Sequence, residues 1–316
     1  MPKVSVIVPI FGVEEYIERC AASLLEQTLE DIEYIFVNDC TTDRSMEILD
    51  EVITRYPKRN AQIKIINLPI NSGLPTVRKV GLQYATGEYI AHCDSDDWVS
   101  ISAYKDLYEA AIRSNADIVF CDYYKSDGNN HKNITRKFNL TSSRDVLESV
   151  SKQAAWSVWS ALVKRSVYQE NIIFPTENNG EDFALMFQLI FNAKSFAKLD
   201  APLYYYYYNQ LSITNVPTES AYLKRYCQLV ANTELVLEFL KRNQSIHKYS
   251  DLLLGYKLYC RTKISCLTGQ AKYRQLWMST YPELSFINVM TNSMIPLRSK
   301  LHYITVLLRL YNILRR

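Results

Sequence analysis

Three carboxylates fall within four residues at Asp94-Ser95-Asp96-Asp97, directly after an apolar run from Glu88 to Cys93. Like charges this close repel one another unless a cation compensates them, and oxygen-only ligation suits Mg²⁺ or Mn²⁺. Where a buried strand enters a loop, alternate carboxylates can address different groups, one the hydroxyls of a ribose and another a hard cation that bridges a diphosphate. The same acids also fit a solvated turn that caps a helix near Ser102, so position has to decide between the two readings. Histidine adds little: His92 lies inside an apolar strand, and His131 and His247 sit in polar stretches. No second protein ligand for a metal can be named. Gly-x-Gly-x-x-Gly, Gly-x-x-x-x-Gly-Lys, His-Glu-x-x-His and nucleophile-elbow patterns are all absent, which removes the main support for dehydrogenase, P-loop kinase and hydrolase chemistry.

The elements around the acids have a clear rhythm. Val4 to Ile10, Glu33 to Val37, Ile63 to Asn67, Glu88 to Cys93 and Asp117 to Cys121 are apolar runs of strand length, separated by segments with helical spacing of apolar residues. Continuously apolar strands alternating with amphipathic helices predict an α/β fold, a mostly parallel sheet with helices on both faces. In such sheets ligands lie beyond the carboxyl ends of the strands. The polar segments Gly12-Val13-Glu14, Asn38-Asp39, Asn71-Ser72-Gly73 and Asp94 to Asp97 all fall there, so four loops point at one crevice. From Lys125 to Arg144 a polar surface excursion is expected. Regular structure then resumes over Trp156 to Tyr168, in a helix opened near Gly180-Glu181-Asp182, and in an aromatic strand at Leu203 to Tyr208. Beyond Pro217 the sequence reads as helices only. The expected organisation is a nucleotide-binding and catalytic domain over residues 1–216 and a helical appendage over 217–316.

Composition narrows the partners. Hydrophobic residues make up 48% of the 316 and charged residues 22%, enough for a sizeable core and unlike a disordered chain. A net charge of +3 from 36 basic and 33 acidic residues is too balanced for a nucleic-acid surface. The seven cysteines lack Cys-x-x-Cys spacing and read as reduced core thiols. Met1-Pro2-Lys3 runs straight into a strand pattern with no signal-peptide features, so a cytoplasmic location is expected.

The motifs taken together resemble those of the family 2 glycosyltransferases, which have the GT-A fold and include enzymes that build bacterial surface polysaccharides. Val4-Ser5-Val6-Ile7-Val8-Pro9-Ile10-Phe11 resembles the opening strand, Glu18 to Leu24 with Gln27-Thr28 the first helix, and Val37-Asn38-Asp39-Cys40-Thr41-Thr42-Asp43 the second-strand motif. Asn71-Ser72-Gly73 with Arg78, then Ala85-Thr86-Gly87-Glu88-Tyr89-Ile90 leading into Asp94-Ser95-Asp96-Asp97-Trp98, continue it. Downstream, Trp159, Lys164-Arg165-Ser166, Gly180-Glu181-Asp182, Pro202-Leu203-Tyr204-Tyr205 and Ser212-Ile213-Thr214 carry it to about residue 215.

The resemblance implies an inverting transfer from a nucleotide-sugar, UDP-linked by expectation, to a hydroxyl of a glycan or lipid-linked glycan, with a divalent metal. Asp39 would accept the N3 proton of uracil, with Phe11 against the base and Pro9 shaping the first loop. Glu14, Asn71 and Ser95 belong to the same nucleotide-sugar loops, and Arg78 would sit near the diphosphate, where a planar cation suits phosphate oxygens. Asp94 would take the ribose side and Asp96 the metal. Asp182 matches the family's general base, although acids at a helix start are also favoured by the macrodipole alone. Trp159 and Glu181 are candidates for the acceptor site, and Trp159 reads equally as core. The sequence departs from the family pattern at Gly12, Cys40-Thr41 and Lys79, and Tyr207 stands where relatives carry an arginine that closes on the diphosphate. A five-tyrosine run also fits simple cross-strand packing. Two other readings share these features: a sugar-nucleotide-binding protein without turnover, and a nucleotidyltransferase, which would need a Gly-rich, Lys-containing loop after Phe11.

From Leu301 to Arg316, His302, Thr305, Arg309, Asn312 and Arg316 recur as one polar helical stripe, with leucines and isoleucines elsewhere and Arg298, Lys300 and Arg315 nearby. Such a helix over 298–316 is too short to span a bilayer and fits either the headgroup plane of the inner face of the cytoplasmic membrane or packing on its own protein or an oligomeric partner.

Overall fold

The computed structural model describes residues 1–208 and 218–310. One nine-stranded sheet forms its centre, with eight strands in the order β3-β2-β1-β4-β8-β6-β9-β5 and β7 beside β6. The parallel part comprises β1 (Val4–Ile10), β2 (Ile32–Asn38), β3 (Ile63–Asn67) and β4 (Tyr89–His92). Beyond β4 the sheet is mixed: β8 (Ala161–Lys164) runs antiparallel to β4 and to β6 (Ile118–Ser126), and β9 (Phe196–Tyr207) runs parallel to β6. Short strands β5 (Trp98–Val99) and β7 (His131–Ile134) add antiparallel edges.

Strand alternation decides which helix each face receives. From β1, Val4, Val6, Val8 and Ile10 pack with α1 (Ile17–Leu25), α2 (Ser45–Thr54) and α4 (Ala103–Ser114). Ile7 faces the opposite way, onto α3 (Leu74–Tyr84) and α6 (Glu181–Asn192). The strand is buried throughout because both faces are covered, which is why it reads as one apolar run. Gly81 lets α3 lie against β1: a Cβ there would stand 2.4 Å from Cγ2 of Ile7.

One helix was not legible in the sequence. The polar stretch after Lys125 contains the hairpin strand β7 and then α5 (Ser143–Gln153), capped by the Ser142 hydroxyl accepting from the Asp145 N–H. Only Val146, Leu147 and Val150 of α5 are buried, too sparse a pattern to stand out.

The C-terminal helices are α7 (Glu219–Arg242), α8 (Ile246–Thr262), α9 (Ala271–Ser279), α10 (Phe286–Thr291) and α11 (Leu297–Leu307). They are not detached from the sheet: Val236, Leu240, Leu252 and Leu253 share one core with Phe183, Phe187 and Ile190 of α6. The boundary expected at 216/217 and the Ser212-Ile213-Thr214 motif lie outside the described residues. A second core gathers Tyr226, Leu258, Trp277, Tyr303 and Val306. Within it the buried Arg261 donates to the carbonyls of Thr280 at 2.6 Å and Tyr281 at 2.8 Å, satisfying groups left open after α9.

Of the polar stripe expected from 301 to 316, residues 311–316 lie outside the described residues. The helix stops at Leu307, where Arg309 turns left-handed at φ +62° and the Leu310 N–H reaches back to the Thr305 carbonyl. Tyr303 and Val306 face inward, and His302 meets the Ser265 hydroxyl at 2.9 Å. Leu297, Leu301 and Leu308 remain exposed at 72%, 54% and 60%. No described helix is long and apolar enough to cross a membrane. All seven cysteines are unbridged; Cys227 is exposed rather than in the core.

Candidate active site

The loops at the carboxyl ends of β1 to β4 converge on a cleft of about 430 Å³. Pro9, Phe11, Asp39, Asn71, Asp94, Ser95 and Asp96, seven of the residues singled out in the sequence, line it together with Ile10, Val13, Gly73, Leu74, Val77 and Asn178. Phe11 is half exposed, an apolar face left open at the rim. Asp39 is buried, and its two oxygens accept the backbone N–H groups of Ser72 at 2.6 Å and Gly73 at 2.9 Å, which ties the β2 and β3 loops together. Asn178 was not picked out from the sequence. Its side-chain oxygen accepts the Leu74 N–H at 3.1 Å and so brings the segment before α6 over the start of α3. The Asn-Asn-Gly run at 178–180 was the available signal.

Glu14 lies away from the cleft lining. Its carboxylate accepts the Arg44 N–H at the start of α2, while its own N–H donates to Asp43. Arg78 is also placed differently from the expectation. Its guanidinium is fully buried beneath the cleft, with Nη2 on Asp94 at 2.8 Å and Nη1 shared between Asp182 at 2.8 Å and Glu181. These carboxylates take both terminal nitrogens, so the group that would face a diphosphate is engaged elsewhere. Burial works against its charge, but Glu181, Asp94 and Asp182 outweigh it and hold Arg78 well above its ordinary value. One cation cannot neutralise three carboxylates. Burial pushes the Glu181 carboxyl well up, with Arg78 opposing and the Asp182 charge adding to the rise.

The three acids of the turn after β4 separate into distinct roles. Asp97 is buried, accepting the Tyr204 hydroxyl at 2.6 Å and the Tyr207 N–H at 2.7 Å; the Tyr204 hydroxyl in turn accepts the Asp94 N–H at 3.0 Å. Tyr204 thus fixes both ends of the turn from β9, a positioning role hidden within a run of tyrosines. Asp94 is held by Arg78. Of the three acids, Asp96 alone keeps its carboxylate toward the cleft without a side-chain partner among the described residues, and burial together with the Asp94 charge raises it to about 6. A carboxylate so destabilised would suit a hard cation. Among the described residues no group of three or more acidic, histidine or cysteine side chains gathers to form a closed metal cage.

Tyr207 leaves no arginine on β9, yet one arrives from α1. Arg19 lies over the Trp98 ring at 3.6 Å and the Tyr207 ring at 4.9 Å, and its Nη2 donates to the Asp96 carbonyl at 3.2 Å. Trp159 is stacked on Tyr204 at 4.3 Å and on Tyr206 at 5.6 Å and lines neither this cleft nor the next. His92 is buried against the Tyr168 hydroxyl at 3.1 Å.

On the other side of Arg78 lies a second cleft, of about 390 Å³, between α5, α6, α8 and the start of α11. Asp182, in the first turn of α6 and 34% exposed, opens into this cleft. Asp94, Arg78 and Asp182 therefore form a row whose ends face different clefts.

Residues 5–187 match the Glycosyl transferase family 2. The chain is a family 2 glycosyltransferase. It is 36% identical over 230 residues to the uncharacterized glycosyltransferase EpsJ of Bacillus subtilis, a match covering 70% of this chain and 65% of that protein, just under two thirds of its length. In fold this family 2 member is similar to S. aureus TarS in complex with UDP-GlcNAc, with a TM-score of 0.65 at 20% identity over 98% of this chain and 88% of the other. It is also similar to the mannosyltransferase PcManGT of Pyrobaculum calidifontis in complex with GDP-Man and Mn²⁺, with a TM-score of 0.58 at 14% identity over 100% of this chain and 88% of the other. These glycosyltransferase folds share the mixed sheet and the helices that cover it.

Proposed function

We propose that the chain transfers a sugar from a UDP-linked donor to a hydroxyl of a glycan or lipid-linked glycan, inverting the anomeric centre, with Asp182 as general base and a divalent metal at Asp96. The observation that carries this reading is the row Asp94–Arg78–Asp182, which puts an acid at the floor of each of two clefts. A single displacement needs the leaving group on one face of the sugar and the attacking hydroxyl on the other.

The first cleft takes the nucleotide. Phe11 offers the base an apolar face, Asp39 offers it an acceptor, and Asp94 with Ser95 addresses the ribose and sugar. Mg²⁺ or Mn²⁺ bound by Asp96 would offset the charge that develops on the departing nucleoside diphosphate. Arg19, lying over Trp98, adds positive charge on the Asp96 side. Asp182 takes the proton of the acceptor hydroxyl as its oxygen bonds to the anomeric carbon and the bond to the phosphate oxygen breaks. Arg78 donates to Asp182 at 2.8 Å and aims it, which is a positioning role. The bound nucleotides of the TarS and PcManGT complexes support a nucleotide-sugar donor, and the Mn²⁺ of the latter supports the metal. The exposed leucines of α11 support work at the inner face of the cytoplasmic membrane, where lipid-linked acceptors lie.

A donor screen tests the proposal. Purified protein with Mg²⁺ or Mn²⁺ is given UDP-, GDP- and dTDP-sugars, and released nucleoside diphosphate is measured beside Asp96→Ala. The reading predicts slow release from one UDP-sugar, abolished by chelator and in the variant. No release and no nucleotide binding would leave an inherited fold without turnover.

A further inference from the structure

One lining residue of the first cleft comes from outside the strand-end loops that build it. Asn178 belongs to the segment before α6, stands exposed over the start of α3, and accepts the Leu74 N–H on its Oδ1 at 3.1 Å. Its neighbours on both sides are tied to α7. The amide of Asn232, buried on that helix, donates to the carbonyls of Glu177 at 2.7 Å and Asn179 at 2.9 Å, and the Asn179 amide donates to Gln228. The short segment is clamped around Asn178, so the side chain is set in place before any ligand arrives.

Capping explains only half of this side chain. α3 begins after Gly73, which offers no side-chain cap, and the Asn178 oxygen meets the first N–H of the helix in its stead. For that task alone a carboxylate would serve better, because the start of a helix is its positive end. What an amide has and a carboxylate lacks is a donor. With Oδ1 spent on Leu74, the donor is Nδ2, which has no hydrogen-bond partner among the described residues and belongs to a side chain that lines the cleft.

Gly73 locates this donor at the Asp39 end of the cleft. Its N–H goes to Asp39 at 2.9 Å, and a Cβ built on it would stand 2.7 Å from the Asn178 Oδ1, so a single residue separates the carboxylate from the amide. That end then holds an acceptor at Asp39, a donor at Asn178 and the open apolar face of Phe11. The edge of a uracil ring is complementary: an N–H between two carbonyl oxygens, on a flat apolar body.

We propose that Asn178 is a specificity-determining residue for the donor, its Nδ2 donating to a carbonyl oxygen of the pyrimidine whose N3–H Asp39 accepts. The inference rests on the UDP-linked reading above and adds a residue that selects the base, supplied by the segment that leads into α6 rather than by the strand-end loops.

The test compares UDP with 2-thio-UDP and 4-thio-UDP by calorimetry in the presence of Mg²⁺. Both analogues keep the N3 proton, and each exchanges one carbonyl oxygen for sulfur, a weaker acceptor. In the wild-type protein one analogue is expected to bind roughly three- to tenfold more weakly than UDP, the loss of a single hydrogen bond. In Asn178→Ala, UDP falls to the level of that analogue and the gap closes. Asn178→Asp keeps an oxygen for the Leu74 N–H, and its Tm should match or exceed that of the wild type, yet the gap closes there too; a residue that only caps α3 would retain it. Both analogues binding the wild type as tightly as UDP, or a gap of undiminished size in either variant, overturns the assignment of Asn178 and leaves UDP binding standing. Failure of the wild-type protein to bind UDP at all overturns the donor reading and this inference with it.

Discussion

The two clefts are built in different ways. The first is made by loops that leave adjacent parallel strands, so each lining residue follows an apolar run at short distance: Phe11 after β1, Asp39 after β2, Asn71 before α3, Asp94 to Asp96 after β4. The second is made by the meeting of α5, α6, α8 and the start of α11, whose lining residues are scattered from Ser151 to Ser299. Topology alone brings the first together, whereas the second exists only once helices pack. Buried Arg78 is the point where the two are joined, and it is where the comparison can be broken most severely.

Replacing Arg78 by Met should leave Asp94, Glu181 and Asp182 without compensation and cost roughly 3–5 kcal/mol of stability, read from urea denaturation. A loss below about 1 kcal/mol would mean that the acids do not depend on it. Tyr204→Phe removes one of the two partners of the buried Asp97 and should cost about 1–3 kcal/mol, while loosening the acidic turn enough to weaken nucleotide binding. Unchanged binding would detach β9 from the first cleft.

Titration sharpens the role of Asp96. Because burial raises its carboxyl to about 6, the folded metal-free protein keeps a proton there that the unfolded chain loses from about pH 4 upward. This group's contribution to stability therefore falls as pH rises from about 4 to about 6 and stays low above that. A cation competes with the same proton, so Mg²⁺ with UDP should raise Tm more at pH 8 than at pH 5.5. An equal shift at both values would remove Asp96 from the metal.

The smallest effect on stability is expected on the exposed side of α11 and just past its end. Leu297→Ser, Leu301→Ser and Leu308→Ser change exposed positions, so each should alter stability by less than about 0.5 kcal/mol. The triple variant should nonetheless lose partition onto anionic vesicles in a flotation assay. Undiminished partition would move any membrane contact elsewhere on the molecule.

What the sequence disclosed follows the same division. Strands buried on two faces announce themselves as continuous apolar runs, and the acids and glycines after them stand at fixed offsets, so the parallel half of the fold and most of the first cleft were legible. Arg78 was recognised but its partners were not, because Glu181 and Asp182 lie about a hundred residues further along. Tyr204 was hidden by its neighbours: Tyr205 stacks on Trp98 at 5.1 Å as ordinary cross-strand packing would have it, while Tyr204 holds two acids of the turn. α5 was missed because only one narrow face of it is apolar.

The central claim is that Asp182 acts on an acceptor from the second cleft while the donor sits in the first. The direct measurement is Asp182→Asn, with UDP affinity by calorimetry and transfer rate to a saturating acceptor determined on the same preparation. The account predicts UDP affinity within about twofold of wild type and a kcat lowered roughly 10²- to 10⁴-fold. A variant that transfers at the wild-type rate, or that loses UDP affinity in proportion to its rate, would contradict it.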